Sequence, residues 1–117
     1  MSDHHKINYI EMPAKNIEVT KAFFSAVFNW SFTDYGPEYC SVDNAAVDAG
    51  FYASDKIALA DEGSVLVVLY SDDLAQSMAL IEANGGIISR PVFSFPGGSR
   101  FHFNDPNGNE FAVWKKD

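Results

Sequence analysis

The chain has 117 residues, of which 47% are hydrophobic and 15% aromatic, enough to build a compact core without disulfide bonds. Its net charge of −8 excludes the broad basic surface that nucleic acid or an anionic membrane requires, and its single cysteine excludes an intramolecular disulfide. No apolar run approaches the roughly 20 residues of a membrane span. The N-terminus has no signal-peptide pattern, so we expect a cytoplasmic protein that does not enter a membrane.

The first half of the chain predicts a strand, a helix and three short strands. Residues 6–12 alternate in polarity with period two, which predicts a strand that ends at Pro13. Asn16 is a candidate N-cap, and an apolar stripe predicts an amphipathic helix over residues 17–28. Three strands are predicted at residues 31–35, 39–42 and 49–53.

The second half predicts the same order of elements. Residues 54–63 lack a clear period and are predicted to be a linker, and the apolar run at 65–70 predicts a strand buried on both faces. A helix capped by Ser71 or Asp72 follows. The remaining elements are a strand at 87–92 that Pro91 places partly at an edge, a loop at 93–98, and a hairpin around the turn 105–108. We interpret Pro96-Gly97-Gly98 in that loop as a hinge or lid over the cavity mouth.

These two halves indicate an internal repeat. Ile17 and Leu74 each open a predicted helix and lie 57 positions apart, and Phe24 and Ile81 have the same spacing. The prediction is an α+β fold of paired βαβββ modules that form a curved mixed sheet around a cavity, with the helices outside. We expect a single domain over residues 1–117, with module one at about 6–53 and module two at about 64–115.

Several segments match one known superfamily over nearly the whole chain. They are Asn8-Tyr9-Ile10-Glu11, Lys21-Ala22-Phe23-Phe24, Val27-Phe28-Asn29-Trp30, Ser71-Asp72-Asp73-Leu74, Gly85-Gly86 and the stretch 100–114, whose most specific part is Asp105-Pro106-Asn107-Gly108-Asn109. In these segments the chain resembles the vicinal-oxygen-chelate superfamily of glyoxalase I, bleomycin-resistance proteins and extradiol dioxygenases. A short glyoxalase-like subgroup of mostly uncharacterised proteins is the most similar. The resemblance implies the paired βαβββ fold and a homodimer.

The resemblance does not extend to the metal ligands of that superfamily. Metal-dependent members have ligands at the positions that correspond here to Tyr9, Leu66 and Ala112, and none of these three is a ligand of the expected kind. A divalent metal needs roughly three or four nitrogen, oxygen or sulfur ligands. We therefore expect no metal site and no cofactor, with a bound divalent metal as the alternative.

Candidate site residues follow from the alternation of side chains along each strand. The resemblance implies that Tyr9 points into the cavity, and the same alternation adds residues on the other strands. The resulting cavity is aromatic, and Arg100 is suited to a substrate carboxylate or enolate. The predicted substrate-binding residues are Tyr9, Tyr70, Arg100 and Trp114.

Glu11 and His102 are the candidate catalytic pair. A glutamate in an apolar pocket is a stronger base than one in water, and a histidine exchanges protons near neutral pH. A structural alternative is that Glu11 and Arg100 form an ion pair at the cavity rim and that His102 is a partly exposed strand residue. Cys40 is predicted to be a buried apolar residue rather than a nucleophile.

Three functions remain open at this point. The first is a metal-independent protein that binds a small apolar or aromatic molecule, as in the bleomycin-resistance branch, and a large cationic ligand would suit the charge of −8. The second is a lyase or isomerase that acts on a small carbonyl compound by acid–base or metal-assisted chemistry. The third is an interaction module without a small ligand. We favour the first.

Overall fold

The computed structural model describes residues 3–117, which fold into two units of the same type. Unit 1 ends at Lys56, and unit 2 runs from Ile57 to Asp117. Each unit contains one α-helix and one four-stranded sheet with both parallel and antiparallel pairs. The predicted α+β fold of paired βαβββ modules is thus confirmed.

Unit 1 begins with a strand, and its first and last strands lie side by side. The sheet order is β1-β4-β3-β2, in which β1 pairs with β4 in parallel and the other pairs are antiparallel. The elements are β1 (Tyr9–Ala14), α1 (Ile17–Phe28), β2 (Phe32–Asp34), β3 (Tyr39–Val42) and β4 (Asp48–Ala53).

Unit 2 repeats this topology after a short 3₁₀ helix at Ala60–Glu62. Its sheet order is β5-β8-β7-β6, again with the first and last strands parallel. The elements are β5 (Val67–Tyr70), α2 (Leu74–Ala83), β6 (Ile87–Phe95), β7 (Gly98–Asn104) and β8 (Glu110–Lys116).

The two helices begin at equivalent positions. The side chain of Asn16 accepts a hydrogen bond from the Val19 amide at 3.0 Å, as predicted. Asp73 caps α2 in the same way by accepting from the Gln76 amide at 3.0 Å. The predicted caps Ser71 and Asp72 are therefore wrong, and the 57-residue spacing of the repeat extends to the caps themselves.

Pro13 does not end the first strand. It continues to Ala14, and Pro13 pairs with Tyr52 in the register of β1 and β4. β1 is an edge strand of its sheet, and an edge strand tolerates a residue without an N–H group.

The prediction that residues 65–70 are buried on both faces is also wrong. β5 spans only Val67–Tyr70, and Val65, Val68 and Tyr70 are exposed. β5 lies at the edge of its sheet. Val67 and Leu69 are partly buried, whereas Val68 and Tyr70 on the other face are exposed, so only one face of this apolar strand is packed.

Residues 93–98 are not a loop, and Pro96-Gly97-Gly98 is a tight turn into a strand rather than a hinge or lid. β6 continues to Phe95, which pairs directly with Gly98 at the start of β7. Pro96 and Gly97 alone make the turn, and the positive φ of Gly97 fits the Pro-Gly pattern of a type II turn.

Each helix packs on one face of its own sheet through aromatic and aliphatic side chains. In unit 1, Phe24 is fully buried and stacks on Trp30 with ring centroids 4.7 Å apart. Cys40 is buried as predicted, and this burial raises the pKa of its thiol. The main buried apolar residues are Phe23, Phe24, Val27, Cys40 and Phe51 in unit 1 and Ile81, Phe101, Phe103, Phe111 and Val113 in unit 2. The opposite face of each sheet carries the polar and aromatic residues predicted as site residues.

Within the described part of the chain, no helix has the length and apolarity needed to cross a membrane.

Candidate functional site

The predicted substrate-binding residues of unit 2 lie on the sheet face opposite α2. Arg100 on β7 pairs with Trp114 on β8, which pairs with Tyr70 on β5. His102 lies two pairs further along, opposite Ala112, and so on the same side of β7 as Arg100. Because directly paired residues point to the same side of a sheet, Tyr70, Arg100, His102 and Trp114 share one face. We call this surface the unit 2 face.

A chain of hydrogen bonds holds the charged groups of the unit 2 face. A terminal nitrogen of Arg100, Nη2, lies 3.0 Å from His102 Nε2. His102 Nδ1 lies 2.8 Å from Glu110 Oε2, and the other carboxylate oxygen of Glu110 accepts from the Ala60 amide at 3.1 Å. The 3₁₀ segment before β5 therefore anchors one end of the chain, and Arg100 forms the other end.

The chemistry of arginine assigns the proton on His102. An arginine side chain only donates hydrogen bonds, so His102 Nε2 must accept from Arg100. The imidazole proton is then on Nδ1, which donates to Glu110. His102 in this arrangement is a neutral residue that positions Arg100, and it is 5% exposed. The alternative of a partly exposed strand histidine is therefore wrong.

Glu110 is stabilised in its ionised form. The hydrogen bond from His102 lowers the pKa of the Glu110 carboxyl against the opposing effect of partial burial. The Ala60 amide and the positive charge of Arg100 act in the same direction as the hydrogen bond.

Aromatic rings surround the charged chain. Trp114 packs edge-to-face on Tyr70 with centroids 5.1 Å apart, and Phe95 lies 6.1 Å from Trp114. Phe93 lies 5.9 Å from the His102 ring. Trp114 is partly buried and Tyr70 is 44% exposed, so apolar ring surface remains accessible beside Arg100.

Two bulges in β6 bring in residues that the sequence did not indicate. Ile88 pairs with Phe103 and Arg90 with His102, so β6 has one extra residue there. Phe93 pairs with Arg100, which means a second extra residue beyond Arg90. Each extra residue reverses the alternation of side chains, and the result is that Arg90 and Phe93 both join the unit 2 face. The only signal in the sequence was Pro91, which breaks strand pairing.

Unit 1 holds the other two predicted site residues in a separate cluster. The hydroxyl groups of Tyr9 and Tyr39 are 2.6 Å apart, and Tyr39 donates to Glu11 Oε2 at 3.1 Å. Since this bond uses the only Tyr39 proton, Tyr9 donates to the Tyr39 oxygen. Burial first, and then these hydrogen bonds, raise the pKa of the Tyr39 phenol. A Cβ at Gly50 would collide with the Tyr39 hydroxyl, so glycine permits the cluster.

The proposed catalytic pair thus comprises residues with different partners. Glu11 is exposed and accepts from Tyr39 in unit 1, while His102 is buried between Arg100 and Glu110 in unit 2. Sequence reasoning did not single out Tyr39, because its contact with Glu11 depends on strand pairing across Gly50.

The residues present do not fit a metal ion. The Tyr9 hydroxyl donates to Tyr39, Leu66 precedes β5, and Ala112 has no ligating atom. Within each unit, over the described residues, no three His, Cys, Asp or Glu side chains are grouped as metal ligands.

The turn after β7 is a structural motif. Asp105 Oδ1 accepts from the amides of Asn107 and Asn109 at 2.9 Å each, and Oδ2 accepts from both asparagine side chains. Burial nevertheless raises the pKa of Asp105, with these hydrogen bonds opposing the effect. The turn holds β7 and β8 in the register that pairs Arg100 with Trp114.

Each unit has a surface depression lined by described residues. One in unit 1, of about 380 Å³, is lined by residues that include Tyr9, Tyr35 and Asp48. The other, in unit 2, of about 410 Å³, lies at the start of α2 near Lys115. Arg100, His102 and Trp114 do not line the depression in unit 2, so the unit 2 face is described by its side chains.

Comparison with known proteins gives one family and many similar folds. The model of the Glyoxalase/Bleomycin resistance protein/Dioxygenase superfamily matches residues 6–113. A search of curated proteins finds no significant match.

Solved structures resemble the whole chain. A glyoxalase-related enzyme from Fulvimarina pelagi has a TM-score of 0.78 at 17% identity, covering 96% of this chain and 88% of that one. A glyoxalase/bleomycin resistance protein/dioxygenase family enzyme from Burkholderia phytofirmans PsJN has a TM-score of 0.77 at 15% identity, with 95% and 98% coverage. The fosfomycin resistance protein FosX from Mesorhizobium loti has a TM-score of 0.74 at 13% identity, with 97% and 93% coverage. Identities this low establish the fold alone.

Proposed function

Since the chain belongs to the glyoxalase/bleomycin resistance protein/dioxygenase superfamily, we propose that it binds a small molecule on the unit 2 face without a metal ion. Within this superfamily the fold serves several unrelated activities, so the residues of the face must carry the functional assignment.

The positioned guanidinium of Arg100 is the observation that supports the proposal. The chain from the Ala60 amide through Glu110 and His102 fixes the direction of the Arg100 side chain. A side chain held in place loses less conformational entropy when it binds a ligand. Trp114 and Tyr70 offer accessible ring surface next to it.

In this proposal the side chains have distinct roles. Arg100 binds a polar group of the ligand, and the rings of Tyr70 and Trp114 contact its apolar part. Tyr9, 43% exposed in unit 1, stays a predicted substrate-binding residue of its own unit. His102 and Glu110 position Arg100 and do not contact the ligand.

Trp114 fluorescence tests the proposal directly. The chain has two tryptophans, so a Trp30→Phe variant leaves Trp114 as the only one. We expect small aromatic molecules from a screening library to change its emission and raise the melting temperature, because a ligand at 100 times its Kd stabilises the folded state by about 2.7 kcal/mol. Arg100→Gln should weaken binding by about tenfold or more.

A matched control separates the face from the rest of the surface. Lys115 follows Trp114 on β8 and points to the opposite side of the sheet, so Lys115→Gln removes one positive charge away from the face. It should leave affinity unchanged. A library without a single ligand that shifts both emission and melting temperature would contradict the proposal, as would equal losses in both variants.

A second candidate function is acid–base catalysis by a lyase or isomerase. The observation that favours it is the Glu110 bond, which leaves the basic nitrogen of His102, Nε2, on the side of the face where Arg100 lies. A substrate anion that draws Arg100 away would free Nε2 to accept a proton. Glu11, with its Tyr39 donor, is the proposed second acid–base group.

Turnover measurements distinguish this candidate from binding alone. Glu11→Gln and His102→Asn should each lower kcat by at least about 100-fold if these side chains transfer protons. If ligands bind but no small carbonyl compound is converted, the acid–base function is excluded. Analysis of metal content after purification without chelator tests the metal-assisted form.

We also propose that the protein is a homodimer, as superfamily members often are. Four edge strands are present in the two sheets, namely β1, β2, β5 and β6. Unpaired strand edges favour association with another chain. Light scattering should give about twice the chain mass of 12.9 kDa, and a monomer at all concentrations would contradict the assignment.

A further inference from the structure

We propose that the ligand of the unit 2 face is an organic anion with a planar apolar part, bound by Arg90 and Arg100 together. This inference rests on the proposed function and names the chemical class of its ligand. Arg90 then determines specificity beside Arg100.

Both arginines of the chain lie against one ring. The sequence contains only Arg90 and Arg100, in a chain of net charge −8. The guanidinium carbon of Arg90 is 3.9 Å from the centroid of Phe93, and that of Arg100 is 5.4 Å from the same centroid. Both distances are within the range of a cation–π contact. A ligand that bound beside Phe93 would therefore be close to two positive charges.

The two bulges of β6 create this arrangement. Without them, Arg90 would share the side of Ile88, which pairs with the buried Phe103 facing α2. The first bulge turns Arg90 to the unit 2 face, and the second keeps Phe93 on that face too. Bulges next to binding sites commonly redirect a side chain in this way.

Neither guanidinium is neutralised within the unit. Among the described residues of unit 2, no carboxylate forms an ion pair with Arg90 or Arg100. Glu110 is the nearest acidic group in the hydrogen-bond chain, and its two oxygens accept from His102 and Ala60. Its negative charge interacts with Arg100, but its carboxylate forms no direct hydrogen bond with the guanidinium, because the His102 ring lies between them.

Arg100 has an incomplete set of hydrogen bonds. Its Nε is buried and has no acceptor among the described residues. A buried donor without an acceptor costs roughly 1–3 kcal/mol. Nη1 and the second proton of Nη2 remain to bind a carboxylate or phosphonate in the two-point geometry that arginine favours. An anion thus supplies acceptors for the terminal nitrogens that the described residues do not.

The apolar part of the ligand follows from the neighbouring rings. Phe95, Trp114 and Tyr70 continue from Phe93 across the same face. A planar hydrocarbon or aromatic group can stack on these rings while its acidic group contacts the arginines. This predicts aryl or arylalkyl carboxylates, with phosphonates and phosphates of similar size as related members of the class.

Matched ligands of one shape and three charges test the inference. Indole-3-acetate, indole-3-acetamide and tryptamine present the same ring with a negative, neutral and positive group. Calorimetric titrations at low and high salt should show that the acid binds at least tenfold tighter than the amide, and that salt reduces this preference. Arg100→Lys should retain only part of the preference, because lysine keeps the charge without the two-point geometry.

Variants of Arg90 test the preference for the acid even if Arg100 variants fail to fold. Arg90 is exposed, so Arg90→Gln should leave the fold intact and lower the preference for the acid by about three- to tenfold. Lys115→Gln, which removes an equal charge from the other side of β8, should leave the preference unchanged.

The outcomes separate this inference from the function on which it rests. If the amide binds as tightly as the acid and Arg100→Gln and Trp114→Ala still weaken both, the anion class is overturned and the binding function stands. Tightest binding of tryptamine overturns the anion class in favour of a cationic ligand. If none of the three indole compounds binds and the library also yields no ligand, both the anion class and the binding function are overturned.

Discussion

At the scale of single residues, the orientation of Arg100 depends on His102, and the proton on His102 depends on Glu110. Each step uses a bond of 3.0 Å or less between the side chains. The period-two pattern predicted correctly that Arg100, His102, Tyr70 and Trp114 share a face. It could not predict that Glu110 would orient His102, because that contact requires the register of β7 and β8.

Acid titration tests the Glu110 contribution. Because the pKa of Glu110 is lowered in the folded state, its stabilising effect is complete above the ordinary glutamate pKa of about 4.3 and is lost as pH falls through the lowered value. Glu110→Gln keeps an oxygen that can accept from His102 but does not titrate. Urea unfolding between pH 7 and pH 3 should therefore show a smaller loss of stability in the variant.

Asp105 contributes with the opposite sign, since burial raises its pKa. Its contribution is the same in both proteins and cancels in the difference between them. Parallel loss of stability in wild type and Glu110→Gln would show that the His102 bond does not favour the ionised carboxylate.

Two residues near the site, Arg90 and Tyr39, could not be identified from the sequence, for physical reasons. Arg90 was not among the predicted site residues, because regular alternation from Ile88 would put it on the α2 side and only the first bulge of β6 turns it to the unit 2 face. Tyr39 was not linked to Glu11, because that bond crosses Gly50 on β4. A glycine inside a strand pattern does indicate a close approach, but it does not say which side chain approaches.

At the scale of secondary structure elements, the helices were predicted best. α1 was predicted with its bounds and its cap, since a strong apolar stripe and a capping residue are both local features. The strands were less predictable. The extent of β1 beyond Pro13 and of β6 beyond Val92 depends on pairing with residues far away in sequence.

The cap of α2 offers a simple test at this scale. Asp73→Ala removes the acceptor of the Gln76 amide and should lower the free energy of unfolding by about 0.5–2 kcal/mol. Asp73→Asn retains an acceptor and should lose less. If Asp72→Ala is as destabilising as Asp73→Ala in chemical denaturation, the assignment of the cap is wrong.

Two glycines in strands should respond differently to the same substitution. A Cβ at Gly98 would collide with the backbone carbonyl of Lys115, which is held in the β7–β8 ladder. A Cβ at Gly50 would collide with the end of the Tyr39 side chain, which can move. We expect Gly98→Ala to cost about 3 kcal/mol and Gly50→Ala about 1 kcal/mol, measured by urea denaturation. The reverse order would contradict the packing described for these strands.

At the scale of the whole molecule, the repeat was the most informative feature of the sequence. Two units with equivalent caps and the strand orders β1-β4-β3-β2 and β5-β8-β7-β6 follow one plan. The Asp105 turn, which carried much of the resemblance, proves to be a hydrogen-bonded structural element. It identifies the fold, whereas the residues on the faces differ from the metal ligands of the superfamily.

We propose that the unit 2 face binds its ligand without a metal ion. Calorimetric titration of the tightest ligand, before and after dialysis against a strong chelator and with metal content measured in each sample, tests this claim most directly. We predict the same Kd within about twofold in both samples, with affinity reduced about tenfold or more by Arg100→Gln. Loss of binding after chelation, restored by one equivalent of zinc, nickel, manganese or iron, would contradict the claim.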